Sequence, residues 1–422
     1  MIPEKLAGGG RDRVLSVRDF QVFAKPAGPA CNLDCRYCYY SRKGASRPEG
    51  TTLLMDDSLL EAYIVQHIAA STDEIIRFSW HGGEPTLAGL DFFRRAVRLQ
   101  QRHRPAGRTI RNGLQTNGVL LDDSWGRFLA EADFSVGLSL DGPARLHDLM
   151  RRGHDGQPTH DRALRGFEIL ARHGVATDIL CVVHSGNVGH PDDVYRYFKS
   201  VGAAFISFLP LVERNTEAAG GVSPESVLAA AWGAFLRAVF DEWLAADIGR
   251  VKVQIFEEAA RTAFGQEHSL CLFRPVCGGI PVIERNGDFY PCDHYARPEF
   301  HLGNIRTSTL ADLLDSPAQR AFGRAKAETL PRVCRACAAL EMCNGECPKN
   351  RFLKTPDGEA GLNYLCAGYK DFFRHCRPFV EALAAEWRRE NPGVTTTAQG
   401  SAGGAGLKAG SPRIPGRKSK KR

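Results

Sequence analysis

The sequence of 422 residues lacks an apolar run of the roughly 20 residues that a membrane-spanning helix needs. It also lacks the basic segment followed by an apolar stretch that begins a secreted chain. Hydrophobic residues make up 43% of the chain, enough for a substantial core, and the length exceeds one ordinary domain. We therefore expect a soluble, cytoplasmic protein with no membrane partner.

Acidic residues are absent from residues 393–422, a segment rich in Gly, Ser, Ala and Pro that holds seven basic residues. The chain has 55 Lys and Arg against 48 Asp and Glu, so 55 − 7 leaves 48 basic residues and a neutral body. This composition predicts a disordered basic tail, and the polar residues 1–15 predict a flexible N-terminus. A solvated extension is favoured over a nucleic-acid-binding tail, and no nucleic-acid partner is predicted.

Thirteen cysteines in a reducing compartment indicate metal or cluster ligation rather than disulfides. Cys31, Cys35 and Cys38 follow the spacing C-x3-C-x2-C. Zinc usually takes four ligands, commonly from two C-x2-C-like pairs, but this loop holds only one such pair and no His follows it at zinc-finger spacing. Three thiolates hold an iron–sulfur cluster and leave one iron open for a cofactor. An iron–sulfur site is favoured, and zinc is the alternative.

Residues 20 to about 215 alternate strand-like and helix-like segments, which is typical of a parallel α/β sheet. Six such units are too few for an eight-fold barrel, so the pattern predicts an α/β fold with a partial (β/α)6 TIM-like barrel, open on one side. The predicted strands are 20–24, 75–80, 112–115, 134–140, 177–183 and 204–211, and the predicted helices are 56–70, 90–102, 122–132, 159–173 and 191–201.

Glycine-rich and polar motifs follow the predicted strands, where folds of this kind place their chemistry. Glycine there permits a tight turn or a close approach of the backbone to a ligand. In chain order, the motifs are the three-cysteine loop, His81-Gly82-Gly83-Glu84-Pro85, Gln115-Thr116-Asn117-Gly118 and Ser139-Leu140-Asp141-Gly142-Pro143.

The segment 270–370 contains eight cysteines, which is two complete sets of four. Asn286-Gly287 predicts a β-hairpin over 280–290. We expect a helical connector over 223–269 before this segment and a C-terminal helix over 371–392 after it. The eight residues are Cys271, Cys277, Cys292, Cys334, Cys337, Cys343, Cys347 and Cys366.

These motifs together resemble the radical S-adenosylmethionine (SAM) enzymes, and the C-terminal cysteines resemble a SPASM domain, which binds two auxiliary iron–sulfur clusters. Within that group the chain is most similar to the anaerobic sulfatase-maturating enzymes over about residues 15–385. The resemblance implies a radical SAM partial barrel over 16–222 and a SPASM auxiliary-cluster domain over 270–370. The segments that carry it are Trp80–Leu90, Cys271-x5-Cys277, Tyr290–Tyr295 and Leu302–Ile305.

The resemblance implies three [4Fe–4S] clusters and SAM as cofactors, with the first three cysteines holding the SAM cluster. Four-cysteine ligation of the other two clusters suits electron transfer. The implied ligands are Cys271, Cys277, Cys292 and Cys347 for the first auxiliary cluster, and Cys334, Cys337, Cys343 and Cys366 for the second.

Residues of the motifs are implied to bind SAM. Gly82, Gly83 and Glu84 would bind its amino group, a simple turn being the alternative. Ser139 and Arg151 would bind its carboxylate or ribose, although Arg151 could equally be a surface charge. Tyr37, before the third cysteine, belongs to the same cofactor site.

Asp293 follows the implied ligand Cys292 and matches the family's proposed catalytic base. Burial beside an anionic cluster predicts a raised pKa for this carboxyl, which suits a proton acceptor. A turn or capping role is the alternative. His81 occupies a position where some family members carry Gln, and we expect its side chain to face the substrate region.

The implied activity is oxygen-independent oxidation of a Cys or Ser to Cα-formylglycine through a 5′-deoxyadenosyl radical. The implied substrate is an unfolded sulfatase polypeptide with a Cys/Ser-x-Pro-x-Arg motif, and the electron donor is a flavodoxin or ferredoxin. A monomer is expected, because the open side of the barrel must admit the peptide. The alternatives are a SPASM enzyme that cross-links or epimerises another peptide, and a non-enzymatic zinc-binding scaffold.

Overall fold

The computed structural model describes residues 20–40, 54–218 and 221–391. The predicted flexible N-terminus at 1–15 and the predicted basic tail at 393–422 lie outside these residues. Within the described ranges, no helix combines the length and the apolar character that crossing a bilayer requires.

One sheet of ten strands dominates the described part of the chain, in the spatial order β10-β9-β8-β1-β2-β3-β4-β5-β6-β7. The strands β1 to β7 run parallel to their neighbours. A separate antiparallel pair is formed by β11 and β12. The strands are β1 (Phe23–Ala24), β2 (Ile75–Trp80), β3 (Thr109–Thr116), β4 (Phe134–Ser139), β5 (Ala176–Val183), β6 (Phe205–Pro210), β7 (Lys252–Val253), β8 (Val282–Ile283), β9 (Asp288–Tyr290), β10 (Gly303–Asn304), β11 (Leu353–Lys354) and β12 (Ala360–Leu362).

Helices alternate with the first six strands, so the predicted α/β fold with a partial six-unit barrel is confirmed. The helices are α1 (Asp57–Ala70), α2 (Leu90–His103), α3 (Asp123–Glu131), α4 (Ala144–His147), α5 (His160–Arg172), α6 (Pro191–Ser200), α7 (Ala229–Ala246), α8 (Gln254–Ala263), α9 (Leu310–Leu314), α10 (Pro317–Glu328), α11 (Arg332–Arg335), α12 (Leu340–Cys343) and α13 (Cys366–Glu390).

The local sequence explains where these elements begin. Asp56 caps α1 by accepting a hydrogen bond from the Leu59 amide, and Asp122 caps α3 by accepting one from Trp125. Such caps satisfy amide groups that have no partner within the helix, and each contributes about 1 kcal/mol. In β3 and β5 buried residues alternate with more accessible ones, so one face of the barrel sheet is packed into the core.

The hairpin predicted around Asn286-Gly287 is present as β8 and β9, and Gly287 has a φ of +93°. Its first strand also pairs in parallel with β1, Phe23 opposite Val282 and Ala24 opposite Ile283. The cysteine-rich region therefore extends the barrel sheet directly beside the first strand.

The predicted helical connector contributes α7, α8 and the short strand β7, which lies parallel to β6. The last helix begins at Cys366, five residues before the predicted start at 371, so this implied ligand lies in its first turn. Helices α7 and α13 lie so close together that a Cβ on Gly368 would be 2.1 Å from the Ala229 carbonyl oxygen. Cys181 and Cys376, which belong to neither predicted set, are buried in the core.

Candidate active site

The three-cysteine loop follows β1 and is fastened to the segment after β4. The amide of Asp34 donates to the Arg152 carbonyl at 2.8 Å, and that of Arg36 donates to the Met150 carbonyl at 2.9 Å. Leu33 and Gly153 form an antiparallel bridge between the same segments. The backbone of the loop is thus fixed at the carboxyl edge of the sheet.

The three thiols of this loop lie within one another's electrostatic reach. Burial raises the pKa of Cys31 to about 11, and the neighbouring Cys38 thiol adds to that effect. Burial raises the pKa of Cys35 to about 12, with Cys31 and Cys38 contributing, while Arg151 opposes the shift. Ligand thiolates at this position therefore require a positive partner, which the iron of a cluster supplies.

The Gly-Gly-Glu motif joins the end of β2 to the segment before Cys31. The amide of Gly83 donates to the Gly28 carbonyl, and that of Glu84 donates to the Ala30 carbonyl, each at 2.8 Å. A Cβ on Gly83 would lie 2.2 Å from the Ala30 oxygen. The close approach of these two segments therefore requires glycine at this position.

The Glu84 carboxylate is fully buried and lies among donors from β3 and its own turn. It accepts hydrogen bonds from the amide and hydroxyl of Thr86, from the Thr116 hydroxyl at 2.8 Å and from the Asn117 amide at 2.8 Å. Burial raises its pKa despite these donors. The Asn117 side chain connects this cluster of hydrogen bonds to the cysteine loop, because its amide donates to the Asn32 side-chain oxygen at 2.8 Å.

Asp141 is a site residue that sequence reasoning did not single out, although its motif was noted. Its carboxylate is 0% exposed and accepts hydrogen bonds from the Tyr37 hydroxyl at 2.6 Å, Arg151 Nε at 2.8 Å and the Val182 amide at 2.9 Å. Burial alone would raise its pKa, but Arg151 holds it below its usual range. The surface-charge alternative for Arg151 is wrong, because this side chain is buried against Asp141. Ser139, also in the motif, accepts a hydrogen bond from Gln115 at 3.2 Å.

Asp293 begins a short 3-10 helix directly after Cys292 and is held by groups from the opposite side of the site. Lys25 forms a salt bridge with one carboxylate oxygen, and the Tyr39 hydroxyl donates to the other. The Lys25 ammonium also lies 3.3 Å from the centre of the Tyr40 ring.

The expected rise in the Asp293 pKa is wrong for this structure. Burial does raise the pKa, but Lys25, His294 and the Tyr39 hydroxyl together hold it well below its ordinary value. The carboxyl group is therefore ionised in this arrangement.

His81 stacks on Phe23, with ring centres 3.7 Å apart and planes at 11°. Burial lowers its pKa to about 4, opposed by Asp293 and aided by Lys25. A neutral imidazole therefore lies close to the Lys25–Asp293 pair.

The eight cysteines between residues 270 and 370 fall into two groups whose members raise one another's pKa. The pKa of Cys292 is raised to about 12 by burial and then by Cys271 and Cys277, and that of Cys347 is raised by burial, Glu346, Cys292 and Cys271. The pKa of Cys343 is raised to about 12 by burial, Glu346, Cys366 and Cys334. Cys337 raises the pKa of Cys366. These groups have the same members as the two predicted ligand sets.

Among the described residues, no group of three or more Cys, His, Asp or Glu side chains is arranged to bind a single metal ion. The assignment of the cysteines as cluster ligands stays a prediction.

Two segments of the chain match known protein families. The family described as the radical SAM superfamily matches residues 26–198, and the iron–sulfur cluster-binding domain named SPASM matches residues 277–338. The fold and site define a radical SAM protein with a SPASM domain.

Curated relatives narrow the class. The chain is 40% identical over 378 residues to a serine-type anaerobic sulfatase-maturating enzyme of Bacteroides thetaiotaomicron, covering 86% of this chain and 91% of the relative. It is 34% identical over 363 residues to a cysteine-type enzyme of Clostridium perfringens, covering 85% and 96%. A solved structure described as native anSMEcpe with bound AdoMet and Cp18Cys peptide aligns with a TM-score of 0.79 and 33% identity, over 87% of this chain and 99% of that one. This chain belongs to the anaerobic sulfatase-maturating enzymes.

Proposed function

We propose that this protein oxidises a Cys or Ser residue of a sulfatase polypeptide to Cα-formylglycine, without oxygen. Both serine-type and cysteine-type enzymes are among its relatives, and one similar structure contains AdoMet and a peptide. The family supports the reaction, and the arrangement of the site supports the residues that we assign to it.

The observation that carries the proposal is the hydrogen bond from Tyr39 to Asp293. Tyr39 directly follows Cys38 of the first cysteine loop, and Asp293 directly follows Cys292 of the cysteine-rich region. With the ligands that we assign, the carboxylate would lie between the SAM-cluster loop and an auxiliary-cluster loop, where a substrate residue would have to react.

The donor sets fit the cofactors of this family. Cys31, Cys35 and Cys38 are coupled thiols without a fourth cysteine in the loop, which suits a cluster with an open iron. The eight C-terminal cysteines would hold two fully ligated clusters. When bound, these clusters and SAM supply a 5′-deoxyadenosyl radical for hydrogen abstraction at Cβ and a path for the remaining electron.

Arg151 and Ser139 would bind the carboxylate or ribose of SAM. The hydrogen bond of Arg151 to Asp141 uses Nε, so Asp141 helps to orient the guanidinium group. Tyr37 shares the same carboxylate and ties the cysteine loop to it. Gly82, Gly83 and Glu84 would complete the site by shaping the backbone near the SAM amino group.

Asp293 would accept the proton of the substrate thiol or hydroxyl. The salt bridge with Lys25 keeps this carboxylate ionised, as a base must be, but the same pairing lowers its pKa and weakens it as a proton acceptor, so Lys25 would have to separate from Asp293 when the substrate binds. Lys25 and Tyr39 also fix its orientation, because each binds a different carboxylate oxygen.

Further features of the proposal follow from the expected substrate. An extended peptide with the motif Cys/Ser-x-Pro-x-Arg would enter through the open side of the barrel, and a monomer would leave that side free. A flavodoxin or ferredoxin would donate the electrons that SAM cleavage requires, and the protein would act in the cytoplasm.

The proposal is tested with anaerobically reconstituted protein, SAM, dithionite and paired peptides that contain Cys-x-Pro-x-Arg, Ser-x-Pro-x-Arg or Ala-x-Pro-x-Arg. Mass spectrometry should show an aldehyde in the Cys or Ser peptide, with one 5′-deoxyadenosine formed per product and no change in the Ala peptide. SAM cleavage with all three peptides unchanged would contradict sulfatase maturation and favour modification of another peptide.

A further inference from the structure

Lys326 is a buried cation in α10 whose hydrogen-bond acceptors carry no formal charge. Its side chain is 1% exposed, and its Nζ donates to the carbonyls of Cys271 at 2.9 Å and Leu272 at 2.7 Å. No carboxylate among the described residues forms a salt bridge with it. A buried ammonium is costly unless anions compensate its charge. The buried Glu346 carboxylate is one such anion, since Lys326 acts to lower its pKa, but the two groups form no salt bridge.

The first set of C-terminal cysteines also acts on Lys326. Burial lowers the pKa of Lys326, and Cys277, Cys271 and Cys347 oppose that shift. Burial raises the pKa of Cys271 and of Cys277, and Lys326 is the largest influence that lowers it in both. The geometry agrees, because the ammonium is bound to the backbone of Cys271 and the Gly323 carbonyl in the same helix accepts the Cys277 amide at 3.1 Å.

The second set has a different cationic neighbour. The cation that acts most strongly on Cys334 is Arg351, which donates to the carbonyls of Gly345, Lys326, Asn344 and Glu346. Arg351 also acts on Cys277, so it serves both sets. The buried Glu346 likewise acts on both sets, through Cys347 and Cys343. Of Lys326, Arg351 and Glu346, only Lys326 acts on cysteines of the first set alone.

We infer that Lys326 is a redox-tuning residue that raises the reduction potential of the first auxiliary cluster above the value it would otherwise have. The inference rests on the ligand sets of the proposed function. A four-thiolate cluster is anionic, and reduction adds a further negative charge. A fixed cation in a medium of low dielectric constant stabilises the reduced form more than the oxidised form. The cluster next to Asp293 thereby becomes the better electron acceptor.

The test is an anaerobic redox titration of the full-length, reconstituted protein, followed by electron paramagnetic resonance. Lys326→Met removes the charge and keeps most of the volume, whereas Lys326→Arg keeps the charge. Lys370→Met is the matched control, because Lys370 is an exposed lysine that acts on Cys334 and Cys366 in the second set. Each variant is also prepared with Cys31, Cys35 and Cys38 replaced by Ala, which leaves the auxiliary signals alone.

In Lys326→Met we expect one auxiliary couple to shift to lower potential while the other stays in place. The shifted couple should be the one that disappears in Cys271→Ala. Lys326→Arg and Lys370→Met should leave both couples where they are. Equal shifts of both couples in Lys326→Met, or no shift at all, would overturn the inference.

Iron analysis separates this inference from the proposed function. The background without the first three cysteines should retain about eight iron atoms, four for each auxiliary cluster. A lower content there contradicts the ligand sets, whatever the role of Lys326. If Lys326→Met alone loses iron, Lys326→Gln, which keeps a donor for the two carbonyls, is titrated instead. Loss of iron from both neutral variants would make Lys326 a structural residue and overturn the inference.

Discussion

Asp293 shows how single side chains from distant segments create the chemistry of this site. Lys25 and Tyr39 precede it by 268 and 254 residues, and together they hold its carboxylate ionised. Asp293→Asn keeps the shape and removes the proton acceptor. We expect formylglycine formation to fall by about 10²- to 10⁴-fold, the usual contribution of a general base. The readout is peptide aldehyde by mass spectrometry, with 5′-deoxyadenosine counted in the same reactions; unchanged aldehyde yield would remove Asp293 from the mechanism.

A second prediction at the residue scale concerns Asp141. Replacing it by Asn leaves Arg151 buried without its counter-charge, which typically costs about 3–5 kcal/mol. We expect a matching loss in the free energy of unfolding, measured anaerobically in urea, and weaker SAM binding. Asp193→Asn is the control, because its pair with Arg145 is about half exposed and such pairs contribute at most about 1 kcal/mol. Equal stability losses in both variants would contradict the role given to Asp141.

Residues that stand in a recognisable motif could be predicted from the sequence. The side chains that form hydrogen bonds or salt bridges with them could not. The cysteines, the Gly-Gly-Glu motif and Asp293 stand in recognisable patterns. Lys25 stands in no such pattern, and Asp141 was not singled out within its motif, since the importance of both arises only where the chain brings them to a carboxylate or a guanidinium. For the same reason the direction of the Asp293 pKa was wrong: burial was foreseeable from the sequence, but the pairing with Lys25 was not.

At the scale of elements, strand β2 and helix α6 were predicted closely, because they have enough residues to show their period. Strand β1 is shorter than its prediction over 20–24, and the two-residue strand β7 was missed within the predicted helical connector. Pairing of β8 with β1 depends on two segments far apart in the chain, and nothing local specifies it. The open barrel was therefore predictable, but the way the cysteine-rich region joins it was not.

Gly83 tests how β2 is joined to the cysteine loop. In Gly83→Ala the new Cβ would meet the Ala30 carbonyl oxygen at 2.2 Å, so the backbone must move. We expect a loss of about 1–3 kcal/mol in stability, as for overpacking, together with less iron in the SAM cluster and less SAM cleavage. Gly189→Ala is the control, because nothing lies within 4 Å of its Cβ position. Iron content and 5′-deoxyadenosine are measured in both; full iron loading and SAM cleavage in Gly83→Ala would show that the contact is dispensable.

At the scale of the whole molecule, one sheet runs through both the barrel and the cysteine-rich region. We expect the two regions to unfold together, in a single calorimetric transition under anaerobic conditions, because they share β-sheet hydrogen bonds. Cys292→Ala should lower the temperature of that one transition rather than split it. Two separate transitions, with the barrel unaffected by Cys292→Ala, would show that the regions are energetically independent.

The pairing of β1 with β8 also sets the order in which the protein can be built in the cell. Phe23 lies opposite Val282, so 282 − 23 = 259 residues separate a strand that emerges early from its neighbour. At about 5–20 residues per second, translation of that interval takes on the order of 10 to 50 seconds. Throughout that time the β8 side of β1 is an open sheet edge on the nascent chain, next to the cysteines of the first loop. β1 gains its second neighbour only when the ribosome has passed residue 283, and the sheet is complete only after β10 at Gly303–Asn304.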